Sequence, residues 1–200
     1  MEEILNADLT PAEIDRQFEA SGERLTTPCY DGEMVWRIWG KGPPLVLLHG
    51  GYGSWRHWIK NIGYLSQSRR VFVADNPGLG DSASVPLPHS AEKLAAVIVE
   101  GINQLIPAPS NFDLVGFSFG GLLGGHVASI MGDRVRNLVV VAPGGLGIPR
   151  TTERPPLAKI RPHMSEQELV DAHRHELQPL LEAADAVGDV GELGLHLRLE

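Results

Sequence analysis

The chain has 200 residues, 42% apolar and 21% charged, with a formal net charge of -8. That length suits one globular domain with a sizeable core, and an acidic chain without any basic block excludes the electrostatics of a nucleic-acid binder. A single cysteine, Cys29, excludes an internal disulfide and any cysteine-rich metal site, and it suits a reducing compartment.

In chain order, the opening Met1-Glu2-Glu3-Ile4-Leu5 is acidic and has no apolar signal region. No run of about 18 apolar residues follows anywhere, so no membrane span is expected. The expectation is a cytoplasmic protein with no membrane partner. Thr10-Pro11-Ala12-Glu13 then reads as a helix cap, a proline at the first helical position and a capping-box glutamate, opening a helix that ends near Gly22. Met34 to Trp39 alternates at period two after an Asp31-Gly32 turn, which predicts a hairpin strand. Leu45–Leu48, Val71–Ala74 and Phe112–Val115 are short apolar runs of the kind found in strands buried on both faces, and 137–142 matches them. Helical segments lie between them at Trp55–Leu65, Ala91–Leu105 and Leu122–Met131. This alternation predicts an α/β fold, a mostly parallel, doubly wound sheet with helices on both faces. Ligands in such sheets sit at the carboxyl ends of the strands, where His49-Gly50-Gly51, Asp75-Asn76-Pro77-Gly78, Ser118 and Pro143-Gly144-Gly145 fall.

The character changes after Gly147. The stretch 148–162 holds four prolines and reads as a loop, Ser165 opens a helix to about Ala184, and 190–199 reads as a short helix. The expected division is 1–147 as one unit and 148–200 as a second.

The most informative run is Asn111 to Gly121. An apolar strand feeds into Gly116-Phe117-Ser118-Phe119-Gly120, and a helix follows at once, the context of a nucleophile elbow. Gly116 and Gly120 let strand and helix approach closely, and Ser118 stands at a helix N-terminus, where N–H groups and the dipole favour negative charge. The expected catalytic nucleophile is Ser118. An acyl-transfer site needs two oxyanion donors, one after the nucleophile and one from the loop after an earlier strand. Those donors are the backbone N–H groups of Phe119 and Gly51, the latter in His49-Gly50-Gly51-Tyr52-Gly53. His49 reads as a loop brace, and Asp75 to Ser82 as a turn with Ser82 as a cap, the alternative being a carboxylate that orients a histidine. Trp55 and Trp58 read as core residues at helical spacing, the alternative for them and for Tyr52, which flanks the same loop, being the lining of an acyl or ring pocket.

Three motifs in order carry a resemblance: Leu45-Val46-Leu47-Leu48-His49-Gly50-Gly51, Asp75-Asn76-Pro77-Gly78-Leu79-Gly80-Asp81-Ser82, and Gly116-Phe117-Ser118-Phe119-Gly120-Gly121. Together they resemble the α/β-hydrolase family from the hairpin through Gly147, and 148–200 resembles the opening of that family's helical cap. Val141-Ala142-Pro143-Gly144-Gly145-Leu146-Gly147 also resembles the branch that hydrolyses carbon–carbon bonds. The resemblance implies a serine hydrolase acting on a small-molecule ester or ketone substrate, with no cofactor and no metal. It also implies an acid and a histidine located after the cap. The chain reaches Glu200 inside the cap, so it reads as truncated, with neither group delivered by a strand. His163, His173, His175 and His196 read as helix-surface residues. Without further strands, Leu138–Ala142 would form an exposed apolar edge, a route to a homo-oligomer. The alternative from another class is a non-catalytic binding module of the same fold. A dinucleotide-binding domain is disfavoured, because glycines 50, 51 and 53 lack the G-x-G-x-x-G spacing.

Overall fold

The computed structural model describes residues 9–144 and the backbone of 195–197. These all belong to one compact unit, which takes in 1–146 and 194–200. The predicted loop at 148–162, the helix from Ser165, and His163, His173 and His175 lie outside the described residues.

Helix α1 (Pro11–Ser21) starts as the sequence indicates. Thr10 Oγ1 accepts from the Glu13 N–H, and the Glu13 carboxylate takes the Thr10 N–H at 2.8 Å. Strands β1 (Glu23–Cys29) and β2 (Gly32–Trp39) form the hairpin, followed by β3 (Pro44–Leu48). The helical segment at 55–65 splits into a 3-10 turn, Trp55–Trp58, and a short α2 (Ile59–Leu65). Next come β4 (Arg70–Ala74), α3 (Ala91–Leu105), β5 (Phe112–Phe117), α4 (Phe119–Met131) and β6 (Val135–Val141).

The strand order is β1-β2-β4-β3-β5-β6, with β4, β3, β5 and β6 parallel and the β1-β2 hairpin joined to β4 antiparallel. A seventh strand, β7 (Leu195–Leu197), lies antiparallel to β6, pairing Leu138 with Leu197, Val139 with His196 and Val140 with Leu195. This corrects two expectations. Residues 195–197 are extended rather than helical, because β6 offers them a ladder of backbone partners. For the same reason Leu138–Val140 is not a bare edge, and the route to a homo-oligomer through it loses its premise.

Side-chain alternation along the central strands fills a separate core on each face. Val46, Leu48, Phe72, Ala74, Phe112 and Leu114 pack with Leu94, Ile98 and Ile102 of α3 and with Leu123 and Val127 of α4. Leu45, Leu47, Val71 and Val73 face the other way, onto Phe18 of α1, Trp55, Trp58 and Ile62. Each buried aliphatic or aromatic side chain of this kind contributes about 1.5–3 kcal/mol. Trp55 and Trp58 are thus core residues, as their spacing implies.

Candidate active site

After β3 the chain moves to β4 on one side and returns to β5 on the other. The crevice at the carboxyl end of β3 is therefore the sheet's switch point. Register aligns the strand ends there. Leu48 stands opposite both Ala74 and Gly116, and Gly116 stands opposite Val140. Four loops consequently meet, beginning at His49, Asp75, Ser118 and Ala142.

The turn from β5 into α4 is as tight as the sequence implies. Ser118 has φ 52° and ψ −114°, left-handed backbone that costs a non-glycine residue on the order of 1–3 kcal/mol. Its N–H donates to the Val141 carbonyl at 2.9 Å, and its carbonyl accepts from the Gly121 N–H at 3.0 Å. A Cβ on Gly116 would stand 2.3 Å from the Gly120 oxygen, so the strand-to-helix approach demands glycine there. Gly120 is required for a different reason: its Cβ would meet the Leu48 and His49 carbonyl oxygens at 2.2 and 2.6 Å. The helix start is thereby pressed onto the end of β3, and the elbow is locked to the 49–53 loop.

That loop lies against the elbow. A Cβ on Gly50 would sit 3.3 Å from Ser118 Cβ, and one on Gly51 would sit 3.8 Å from Phe119 Cβ. Among the described residues, neither the Gly51 N–H nor the Phe119 N–H has a hydrogen-bond partner. For Phe119 this follows from its place at the first helical position. Tyr52, also left-handed at φ 55°, projects almost wholly into solvent (98% exposed).

His49 is fully buried. Its Nδ1 lies 2.7 Å from the Gly50 carbonyl, and its Nε2 accepts the Asn76 N–H at 2.9 Å. This fixes the neutral tautomer with the proton on Nδ1. Burial, helped by the neighbouring His57, pushes its pKa down against the opposing pull of the Gly50 carbonyl and Asp75. His49 braces the loop, as expected from sequence.

Asp75 does more than make a turn. It is fully buried, and its carboxylate accepts from Arg37 Nη1 at 2.9 Å, from the Trp55 N–H at 2.7 Å and from the Asp81 N–H at 3.1 Å. Arg37, itself 2% exposed, also pairs with Asp81 and with Glu19 of α1, and its guanidinium stacks 5.0 Å from the Trp55 ring. Ser82 is a bridge rather than a cap: its hydroxyl donates to the Asp75 carbonyl at 2.6 Å and accepts the Val35 N–H at 2.9 Å. Sequence reading missed this cluster. Its trace was an arginine between Trp36 and Ile38 in a strand whose neighbours are all buried. His57 was missed too. It sits on the 3-10 turn with Nδ1 3.3 Å from the Gly50 N–H.

Among the described residues, no group of His, Cys, Asp and Glu could hold a metal ion, and no helix is long and apolar enough to cross a membrane. Nor does any described side chain hydrogen-bond Ser118 Oγ.

Several known proteins resemble this chain. The chain is 39% identical over 110 residues to a pimeloyl-[acyl-carrier protein] methyl ester esterase of Vibrio cholerae, covering 54% of this chain and 40% of that protein. It is 30% identical over 112 residues to a 2-hydroxy-6-oxo-6-phenylhexa-2,4-dienoate hydrolase of Comamonas testosteroni, covering 54% and 39%. The chain thus spans well under two thirds of the curated relatives it matches. Among solved structures, an epoxide hydrolase of Vigna radiata superposes with a TM-score of 0.56 at 25% identity, over 78% of this chain and 46% of that one. The model of the alpha/beta hydrolase fold matches residues 43–183, and the chain belongs to that family.

Proposed function

We propose that this chain carries the nucleophile and oxyanion portion of a serine hydrolase site that acts on an ester or on a carbon–carbon bond beside a ketone. The observation that carries the reading is Ser118, held in left-handed backbone at the head of α4 beside two backbone N–H groups that have no partner among the described residues. Ser118 Oγ attacks the substrate carbonyl carbon and passes its proton to a base outside the described residues. The oxyanion is held by the Gly51 and Phe119 N–H groups, each such donor lowering the barrier by about 2.7–4 kcal/mol. The intermediate collapses with loss of the alcohol or carbon leaving group, and water then releases the acyl group from Ser118. The substrate classes are supported by relatives named a methyl ester esterase and a hydrolase of an oxo-dienoate.

The second reading, a binding module without turnover, is favoured by one fact: no described side chain hydrogen-bonds Ser118 Oγ. Incubation with short activated esters and with an aryl oxo-dienoate separates the two. Turnover abolished by Ser118→Ala supports the hydrolase. Binding without turnover supports the module. Loss of the histidine or serine of a working triad lowers turnover by about 10⁶, so turnover by the chain would stand far above anything the module reading allows.

A further inference from the structure

Two imidazoles hold the two peptide groups that flank Gly50, and the second of these carries the Gly51 N–H of the proposed oxyanion site. The Gly50 carbonyl is taken by His49 at 2.7 Å, and the Gly50 N–H is taken by Nδ1 of His57 at 3.3 Å. In a trans peptide the carbonyl and the following N–H point in opposite directions. Anchoring the Gly50 carbonyl on His49 therefore turns the Gly51 N–H away from His49, while anchoring the Gly50 N–H fixes the preceding peptide. Gly50 has no remaining freedom once both bonds are made. Its own Cα already lies against the elbow, since a Cβ there would be 3.1 Å from the Phe117 ring and 3.3 Å from Ser118 Cβ.

The sequence provides for the His57 contact. A Cβ on Gly53 would stand 2.2 Å from Cε1 and 2.4 Å from Nε2 of His57, so the ring lies over that glycine and no larger residue would let it. Phe117 packs edge-on against the same ring at 5.8 Å, as does His49 at 5.8 Å. The ring is thus held by the loop it clamps and by the residue before the nucleophile, although His57 is an exposed residue.

We propose that His57 is a positioning residue of this site: its unprotonated Nδ1 accepts the Gly50 N–H and, with His49, sets the peptide that presents the Gly51 N–H. The proposal deepens the hydrolase reading and rests on it for the role of that N–H. It assigns His57 no contact with substrate. It requires the neutral ring protonated on Nε2, because a proton on Nδ1 would set donor against donor and free the loop. Among the described residues, the charged and titratable groups around the ring are few. His49 faces it from the β3 loop with Asp75 behind, and Arg56 on its own turn is directed to Asp15 at 2.6 Å. Phe117 and Gly53 bring no charge. Partial withdrawal from water lowers the His57 pKa, which favours the neutral form the clamp needs.

The test uses the full chain with three substitutions. His57→Ala removes the acceptor, Gly53→Ala displaces the ring while keeping the imidazole, and His57→Asn places a non-titrating oxygen where Nδ1 stood. In ¹H–¹⁵N spectra, the Gly50 and Gly51 amides should move in His57→Ala and in Gly53→Ala and stay near their original positions in His57→Asn. In the unsubstituted chain both amides should follow the titration of the His57 ring, and that dependence should vanish in His57→Asn. The rate of fluorophosphonate labelling at Ser118 should fall on the order of tenfold or more in the two alanine variants and return in His57→Asn, with its acid limb gone. Gly50 and Gly51 amides unmoved by His57→Ala would overturn the proposal, as would labelling unaffected by that substitution. Absence of labelling in the unsubstituted chain would count against the hydrolase reading alone, and the amide shifts would still decide whether the clamp exists.

Discussion

The two ends of β5 are stabilised in opposite ways. At its start, Asp113 is 8% exposed and accepts from Arg69, from Arg136 at 3.0 and 2.6 Å, and from Asn137 at 2.8 Å. At its end, Ser118 sits in left-handed backbone, flanked by N–H groups that no described residue satisfies. One end pairs the carboxylate it buries, while at the other, among the described residues, two N–H donors and a hydroxyl have no partner at the switch point of the sheet. Charge pairing secures the amino end of β5, and the proposed nucleophile stands at its carboxyl end. The Asp75–Arg37 cluster is the exception that links them, because it places buried, paired charges at the carboxyl end of β4, where only Arg37 Nε lacks a partner within the cluster.

Each contrast has a measurable consequence, and the largest concerns that cluster. Asp75→Asn leaves Arg37 buried with one charge partner fewer and should destabilise the fold by about 3 kcal/mol in urea unfolding. A loss below roughly 1 kcal/mol would mean that Asp81 and Glu19 suffice for Arg37. Gly120→Ala comes next, since its Cβ would strike two carbonyl oxygens of the backbone rather than a side chain that can swing away. We expect a loss of roughly 2–3 kcal/mol, within the range of overpacked cores.

The third prediction is a pH dependence. Burial alone would raise the Asp113 pKa, but the bonds from Arg136, Asn137 and Arg69 outweigh it and hold the carboxyl down at about 2, from an ordinary 3.8. A group with a lowered folded-state pKa stabilises the fold above its unfolded value. That contribution, about 2 kcal/mol, should be present above pH 4 and be lost as pH falls towards 2. Asp113→Asn should remove this acid step from the unfolding profile. The smallest effect has the opposite sign. Ser118→Gly relieves the left-handed backbone and should raise stability by about 1 kcal/mol, so that losing the proposed nucleophile strengthens the fold.

Much of this was legible in the residues. Continuous apolar runs at 45–48, 71–74 and 112–115 identify strands buried on both faces, and the glycines around Ser118 identify the elbow because a strand precedes them and a helix follows. The β1 strand was legible only as the unnamed half of a hairpin, since Glu23–Cys29 is an edge with mixed burial and weak alternation. Leu193, Leu195, Leu197 and Leu199 alternate at period two, a strand signal that the reading of 190–199 as a short helix passed over, and 195–197 pairs with β6. Arg37 and His57 were not legible as partners, because each acts through a contact made by the tertiary fold. Arg37 reaches a carboxylate 38 positions along the chain. His57 reaches back to Gly50 through a turn whose 3-10 geometry its composition does not specify.

The central claim is that Ser118 is a nucleophile, and the location of a covalent adduct tests it most directly. After treatment of the chain with a fluorophosphonate, peptide mapping by mass spectrometry should find one adduct, on the peptide carrying Gly116 to Gly121, and none in Ser118→Ala. An adduct on another residue, or an unmodified Ser118 under conditions that label serine hydrolases, would contradict it.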